Sequence, residues 1–416
     1  MVNTKELENK TSAQKSPLEG LRVLDMSRAL AGPYCTMMLG DMGADVIKVE
    51  RPGRGDESRN WGPPFVGEPY GPYPGESAYY MAINRNKRSL TVDLKNHDGQ
   101  EIIREIAARS DVLVENFRTG SLDKLGLDYE SIKEVNPRLV YCSISGYGRT
   151  GPYASRPGYD FIIQAEGGIM GVTGPVEGPP YRVGVSIVDI TTGMFAATAI
   201  LAALRARDES GVGQLIDLSL MDSIVALLAN VASNYLVAGT EPKRMGNAHF
   251  NIAPYEVFRA RDRWITLGAL NDRQWGMLCE FVEMPELKDD PRFVDNQSRV
   301  VNREELAEVL NRVFSTRDAE EWLGMLQEAG IPSGPINAVE DVFNHPQRQA
   351  RELVQYIEHP TAGRVGFPGF PYKFSETPAQ LLRPPPMLGE HTEEVLIELL
   401  GYSKQEVNSL KQSGIV

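Results

Sequence analysis

Short apolar runs alternate with amphipathic stretches along the first 220 residues of the chain. Residues 21–26 form a compact apolar run, a loop occupies 27–33, and 34–42 has helical spacing and ends at Gly43. Residues 44–50 form a second apolar run. Strand, helix and strand in this order predict a parallel βαβ unit, because parallel strands need a crossover between them. The rhythm continues with predicted strands at 90–94, 111–115, 139–144 and 214–220 and a helix at 98–110. Helices are also predicted at 159–169, 189–207 and 222–236. This pattern predicts an α/β fold with a Rossmann-like parallel sheet and helices on both faces. Past residue 240 it changes. A hairpin is predicted over 255–267, turning at Arg261-Asp262-Arg263, then charged helices and loops to about 345. Short strands and turns over 358–374, a Pro-rich extended passage over 382–391 and a helix over 392–400 complete the reading.

The predicted domains are a polar, disordered lead-in over 1–16, a large α/β domain over 17–240 and a smaller α+β domain over 241–345. Residues 346–416 return as a linker and helices to the large domain. Residues 52–76, rich in Gly, Pro and aromatics, form a long connection, and connections of that length are usually functional.

One stretch concentrates the chemistry. Residues 181–188 read as a short strand and 194–204 as a helix with apolar residues at nearly every position, with Asp189 between them. A helix apolar all round is a buried helix. Asp189 reads in two ways: as a helix cap favoured by the dipole, or as a carboxylate nucleophile at the edge of a dry pocket. Asp160 reads as a first-turn acid of its own helix.

Charge and composition narrow the partners. A net charge of -13 argues against a nucleic-acid or membrane-surface binder. Polar residues within the longest uncharged stretch, 223–240, favour a buried helix over a membrane span. Cys35, Cys142 and Cys279 are scattered, which predicts reduced thiols in a cytoplasmic protein and no metal site. No G-x-G-x-x-G follows the first strand and no Walker loop occurs, so NAD, FAD and ATP are not expected. Against the acidic background, Arg51, Arg85, Lys87, Arg88, Lys95 and Lys124 form a basic set at predicted strand ends. That set suits a phosphate-bearing ligand, although any one member alone reads as solvated surface.

Several motifs carry a resemblance. They are Leu-Glu-Gly-Leu-Arg-Val-Leu-Asp near residue 20, Ala31-Gly-Pro, and Gly43-Ala-Asp-Val-Ile-Lys-Val-Glu-Arg51. Further ones are Asn86-Lys-Arg-Ser, Val114-Glu-Asn-Phe117, Gly146-Tyr-Gly, Asp189-x-x-x-Gly193 and Leu388-Gly-Glu-His-Thr392. Together they resemble the class III CoA-transferases, from residue 17 to the C-terminus. The resemblance implies an interlocked homodimer that takes acyl-CoA and small carboxylic acids, with coenzyme A as co-substrate and no metal. It implies Asp189 as nucleophile. It implies CoA contacts at Ala29, Leu30, Arg51, Val92, Leu94, Lys95, Asn116, Phe117, Arg118, Lys124, Tyr159 and Asp160. The run at 233–239 with Lys243-Arg and Pro254-Tyr looks closer to the succinyl-CoA:dicarboxylate members, with malate, citramalate or glutarate among the acceptors. Arg28, Gly246 and His249 are the candidates for holding the acceptor acid. An α-methylacyl-CoA racemase is the alternative within the family. Its base would be a histidine where this chain has Tyr159, and a phenol with a pKa near ~10 is a poor base at neutral pH. A non-catalytic acyl-CoA-binding protein is the alternative outside it.

Overall fold

The computed structural model describes residues 15–70 and 73–416. The predicted lead-in thus lies, up to residue 14, outside the described residues. The chain divides into two compact units, one of residues 1–167, 184–227 and 347–416, the other of 168–183 and 228–346.

The first unit is built on six parallel strands: β1 (Arg22–Asp25), β2 (Asp45–Glu50), β3 (Lys87–Thr91), β4 (Val112–Glu115), β5 (Val140–Ser145) and β6 (Leu215–Ser219). Their spatial order is β3-β2-β1-β4-β5-β6. β1 pairs on one side with β2, Val23 opposite Val46, and on the other with β4, Val23 opposite Val112. The chain thus runs outward from β1 in both directions, and ligands of such sheets bind beyond the strand carboxyl ends where the order reverses. Helices α1 (Ala31–Asp41), α2 (Ala78–Ile83), α3 (His97–Ala107), α4 (Tyr129–Val135), α5 (Asp160–Glu166) and α6 (Ile187–Ser210) lie in the connections between the strands, and α7 (Leu220–Leu227) follows the last of them. α3 shows why the period was readable: Ile102, Ile103 and Ile106 are buried while its polar face is not. The C-terminal helices Thr392–Glu398 and Lys404–Gln412 add Val395, Leu396 and Val407 to the same core.

The second unit holds a three-stranded antiparallel sheet, with Tyr255–Arg259 and Trp264–Gly268 forming the predicted hairpin and Ser333–Pro335 beside it. Phe258, Trp275, Phe293, Phe314 and Trp322 fill its core.

Four expectations need correcting. Residues 181–186 carry no strand, and α6 begins at Ile187. The strand expected over 90–94 is Lys87–Thr91, so the basic residues at its start lie inside the sheet. The helix expected over 222–236 is two helices, broken at Leu228 with Ala229 at φ 41°. Finally, α6 is not buried all round: Val188, Gly193, Ala197, Ile200 and Leu204 are, whereas Met194 and Phe195 are exposed in the isolated chain.

Three members of the basic set also resolve differently from either sequence reading. Arg85 pairs with Asp41 at 2.7 Å, Lys87 with Asp25 at 3.0 Å and Arg88 with Asp45 at 2.6 Å. These are internal ion pairs, neither solvated surface nor ligand contacts. Beneath the strand ends, Lys48 binds Asp56 at 2.8 Å and Arg59 binds Glu50 at 2.7 Å. Burial opposes ionisation of Glu50, but Arg59, Lys48 and the Ser89 hydroxyl prevail and hold it down at about 2.

Candidate active site

A cavity of about 820 Å³ opens at the carboxyl ends of β1, β2 and β3. Its walls include Met26 and Arg28 after β1, Glu50, Arg51 and Arg54 after β2, Val92, Leu94 and Lys95 after β3, and Phe117 after β4. Trp61 and Tyr73, from the connection after β2, also line it. The apolar side chains suit a flat or aliphatic ligand body, and four cations among these residues suit an anionic end. Asp56, which lines the cavity beside Arg54, fixes the first loop: its Oδ1 accepts the Ala29 N–H at 3.3 Å, and its partner Lys48 donates to the Ser27 carbonyl at 3.0 Å. Asn116 grips the same loop with both ends of its amide, accepting from the Arg28 N–H at 2.8 Å and donating to the Arg28 carbonyl at 2.7 Å. Ala29 adopts φ 65°, a left-handed conformation that the loop needs to turn into α1.

Asp189 lies in the first turn of α6, three residues after the N-cap Ser186, so it is not the cap itself. The cap acceptor is Asp160, the first residue of α5, whose Oδ1 accepts the Val188 N–H at 2.9 Å and the Asp189 N–H at 3.4 Å. Asp189 is half-buried, and its carboxyl is pushed up to about 7, first by burial and second by the Asp160 charge. One turn further on, α6 meets α1. A Cβ added at Gly193 would lie 2.7 Å from the Ala31 carbonyl oxygen, so only glycine fits there. Residues four apart share a helix face, so the same contact that needs Gly193 aims Asp189 at the loop leading into α1. The Tyr79 ring of α2 packs edge-on against Trp61 at 4.9 Å, and its hydroxyl bonds Ser186. Trp61, Tyr79 and Ser186 thus link the cavity wall to the start of α6.

The remaining sequence candidates fall into four groups. Arg51, Val92, Leu94, Lys95, Phe117 and Arg28 line the cavity. Ala29, Leu30, Asn116, Tyr159 and Asp160 do not line it; the first two belong to the loop beside it, Asn116 follows β4 and holds that loop, and the last two lie at the start of α5. Lys124 is exposed next to the lining residue Leu125, and Arg118 is exposed with its Nε donating to the Ser155 carbonyl at 3.0 Å. Arg28 is engaged already, pairing with Glu57 at 2.5 Å and lying over the Phe117 ring at 5.0 Å. Gly246 and His249 belong to the second unit. There the Gly246 N–H donates to the Gly174 carbonyl at 3.0 Å, and His249 Nδ1 accepts the Asn251 N–H at 3.0 Å. Sequence reasoning missed Arg54, Trp61, Tyr73 and Tyr79. Arg54, Trp61 and Tyr73 had a weak signal, since they fall in the connection over 52–76 that was singled out by its length.

Fold and site thus define an α/β protein with a cavity at the sheet's switch point, lined by four cations and four acids and linked through Trp61, Tyr79 and Ser186 to the start of the helix that carries an unusually basic carboxyl group. The chain belongs to CoA-transferase family III, whose family profile matches residues 18–392. It is 45% identical over 400 residues to the succinyl-CoA:glutarate CoA-transferase of Homo sapiens, spanning 96% of this chain and 90% of that one. It is 44% identical over 386 residues to the succinate–glutarate CoA-transferase of Agrobacterium fabrum, spanning 93% and 96%. The crystal structure of a CAIB/BAIF family protein from Brucella suis matches at 45% identity with a TM-score of 0.82, covering 93% of this chain and 100% of that one. The resemblance read from the motifs holds at the level of the family.

Proposed function

We propose that this protein transfers CoA from succinyl-CoA to a dicarboxylic acid, glutarate foremost, through a thioester on Asp189. The observation that carries the reading is Asp189 itself: a half-buried carboxyl pushed up to about 7, one helical turn before Gly193 and linked through Tyr79 and Trp61 to the cavity. A carboxylate of raised basicity is a better nucleophile, and shielding from water protects an acylated intermediate. The names of the relatives supply the acids: succinyl-CoA and glutarate for the human protein, succinate and glutarate for the bacterial one.

The chemistry is two rounds of acyl exchange. Asp189 attacks the succinyl thioester carbonyl, giving an aspartyl–succinyl anhydride and CoA thiolate. The thiolate attacks the Asp189 carbonyl, succinate leaves, and the enzyme carries CoA as a thioester. The acceptor acid then reverses both steps. Each attack creates an oxyanion, which needs preorganised N–H donors. Asp160 already takes the Val188 and Asp189 amides. The first turn of α1, which has no side-chain cap, is the candidate donor. In this reading Arg51, Arg54 and Lys95 hold the phosphate-bearing end of CoA, while Val92, Leu94 and Phe117 pack its body. Ala29, Leu30, Asn116, Arg118, Lys124 and Tyr159 frame the path to Asp189.

The protein works as an interlocked homodimer in the cytoplasm. Exposed Tyr159, Phe161, Met194 and Phe195 support burial against a second copy. Three free, buried cysteines fit a reducing compartment. The candidates for the acceptor's far carboxylate are Arg28 in the first unit and, separately, Gly246 and His249 in the second. An acceptor screen tests the function: purified protein, succinyl-CoA, a panel of C3 to C6 acids and mass detection of new acyl-CoAs. Formation of glutaryl-CoA ahead of monocarboxylate products is expected. No new acyl-CoA from any dicarboxylate refutes the reading.

A further inference from the structure

An acid in the first turn of a helix is normally stabilised by the dipole and by free amide N–H groups. Asp189 receives no such N–H group. The Ile187 N–H donates to the Val185 carbonyl at 2.8 Å, and the Ile190 N–H to the Ser186 carbonyl at 3.0 Å. The two amides between them are taken by Asp160. Asp160 is itself anchored, since its Oδ2 accepts from the buried Gln164 amide at 2.7 Å. Just before it, the backbones of Gly158 and Gly146 meet so closely that a Cβ on Gly158 would lie 2.4 Å from the Gly146 Cα. A second carboxylate is thus pinned over the end of α6, on the donors that would otherwise serve Asp189.

We propose that Asp160 is a positioning residue whose fixed negative charge drives CoA onto Asp189. The proposal rests on Asp189 being the acylated group. In the half-reaction the thioester C–S bond of succinyl-CoA breaks and a C–S bond to the Asp189 carbonyl forms. One Asp189 oxygen leaves with succinate, and the negative charge leaves with it. No proton or external reductant is needed. Two like charges face each other before this exchange and only one remains after it. Repulsion from Asp160 therefore destabilises the free carboxylate and spares the thioester, so Asp160 displaces the half-reaction toward covalent enzyme. The raised basicity of Asp189 supports the same picture, with Asp160 the second cause after burial. A CoA contact made by Asp160 would instead change CoA affinity.

The test is the equilibrium between succinyl-CoA, succinate and covalent enzyme, with no acceptor present. It is read as the fraction of intact protein carrying the mass of CoA after an acid quench. Asp160→Asn keeps an acceptor for the Val188 N–H and removes the charge. Its half-reaction equilibrium constant is expected to fall about tenfold, the equivalent of one pKa unit. Asp160→Glu restores it, and the CoA dissociation constant of Asp160→Asn stays unchanged. An Asp160→Asn constant within twofold of wild type overturns the proposal, as does an equal deficit in Asp160→Glu, which would mark a purely structural role. If Asp160→Asn does not fold, Asp160→Ser is read by the same criterion. A wild-type protein that never gains the CoA mass overturns the transfer reading itself. Covalent wild type with an unchanged variant overturns only the role of Asp160.

Discussion

Replacing Asp189 with asparagine should stabilise the protein while abolishing its activity. Folding raises this carboxyl from 3.8 to about 7. Each unit corresponds to about 1.4 kcal/mol, so ionised Asp189 costs the folded state up to about 4 kcal/mol. Burial is the larger cause, the Asp160 charge the smaller, and Tyr79 is the other titratable group facing it. The sign follows from linkage. Below about pH 4 the carboxyl is protonated both folded and unfolded, and nothing is lost. Between about 4 and 7 the unfolded chain has released the proton and the folded chain has not, so stability falls as pH rises. Above about 7 the full cost is present. Asparagine has nearly the same shape and no charge, but its amide also needs partners, so a gain of about 2 kcal/mol is expected at pH 8. Urea unfolding of both proteins from pH 4 to 8.5, at one fixed protein concentration, reads the difference. The variant should be less stable by roughly 2 kcal/mol at pH 4, overtake wild type through the range 5–7 and level off above it. A gap independent of pH, or a variant less stable at pH 8, would refute the electrostatic account of this residue.

Three further outcomes are expected. Gly193→Ala forces a methyl group against the Ala31 carbonyl, 2.7 Å away, and should cost about 1–3 kcal/mol in urea unfolding together with most of kcat. Arg59→Leu leaves Glu50 buried without its guanidinium and should destabilise by about 3–5 kcal/mol, read by the same unfolding assay. Arg54→Ala with Lys95→Ala removes two exposed cations from the cavity rim. It should weaken CoA binding in calorimetry by about tenfold at low salt and by less at high salt, where exposed charges are screened.

The parallel sheet was legible because its determinants are local. The apolar run of β2 and the isoleucine face of α3 repeat at periods that neighbouring residues reveal. The misreadings share a cause, which is partners distant in sequence. Arg85 and Lys87 looked like ligand cations because their acids, Asp41 and Asp25, lie 44 and 62 residues away. Asp160 looked like a simple first-turn acid because the amides it caps lie 28 and 29 residues on. The run before Asp189 looked like a strand by apolar content, yet Val185 is 55% exposed and pairs with no strand. Asp189 was singled out as the chemical candidate by its place between an apolar run and an apolar helix. Its raised basicity was not legible, because both of its causes, burial and Asp160, are tertiary.

The central claim is that CoA becomes bonded to the side chain of residue 189 during turnover, and peptide mapping tests it most directly. Protein incubated with succinyl-CoA is treated with hydroxylamine, which converts a thioester to a hydroxamate, then digested and sequenced by mass spectrometry. The account predicts a single modified residue, Asp189, and no modification in Asp189→Ala. A hydroxamate at any other side chain, or full CoA transfer by Asp189→Ala, would contradict it.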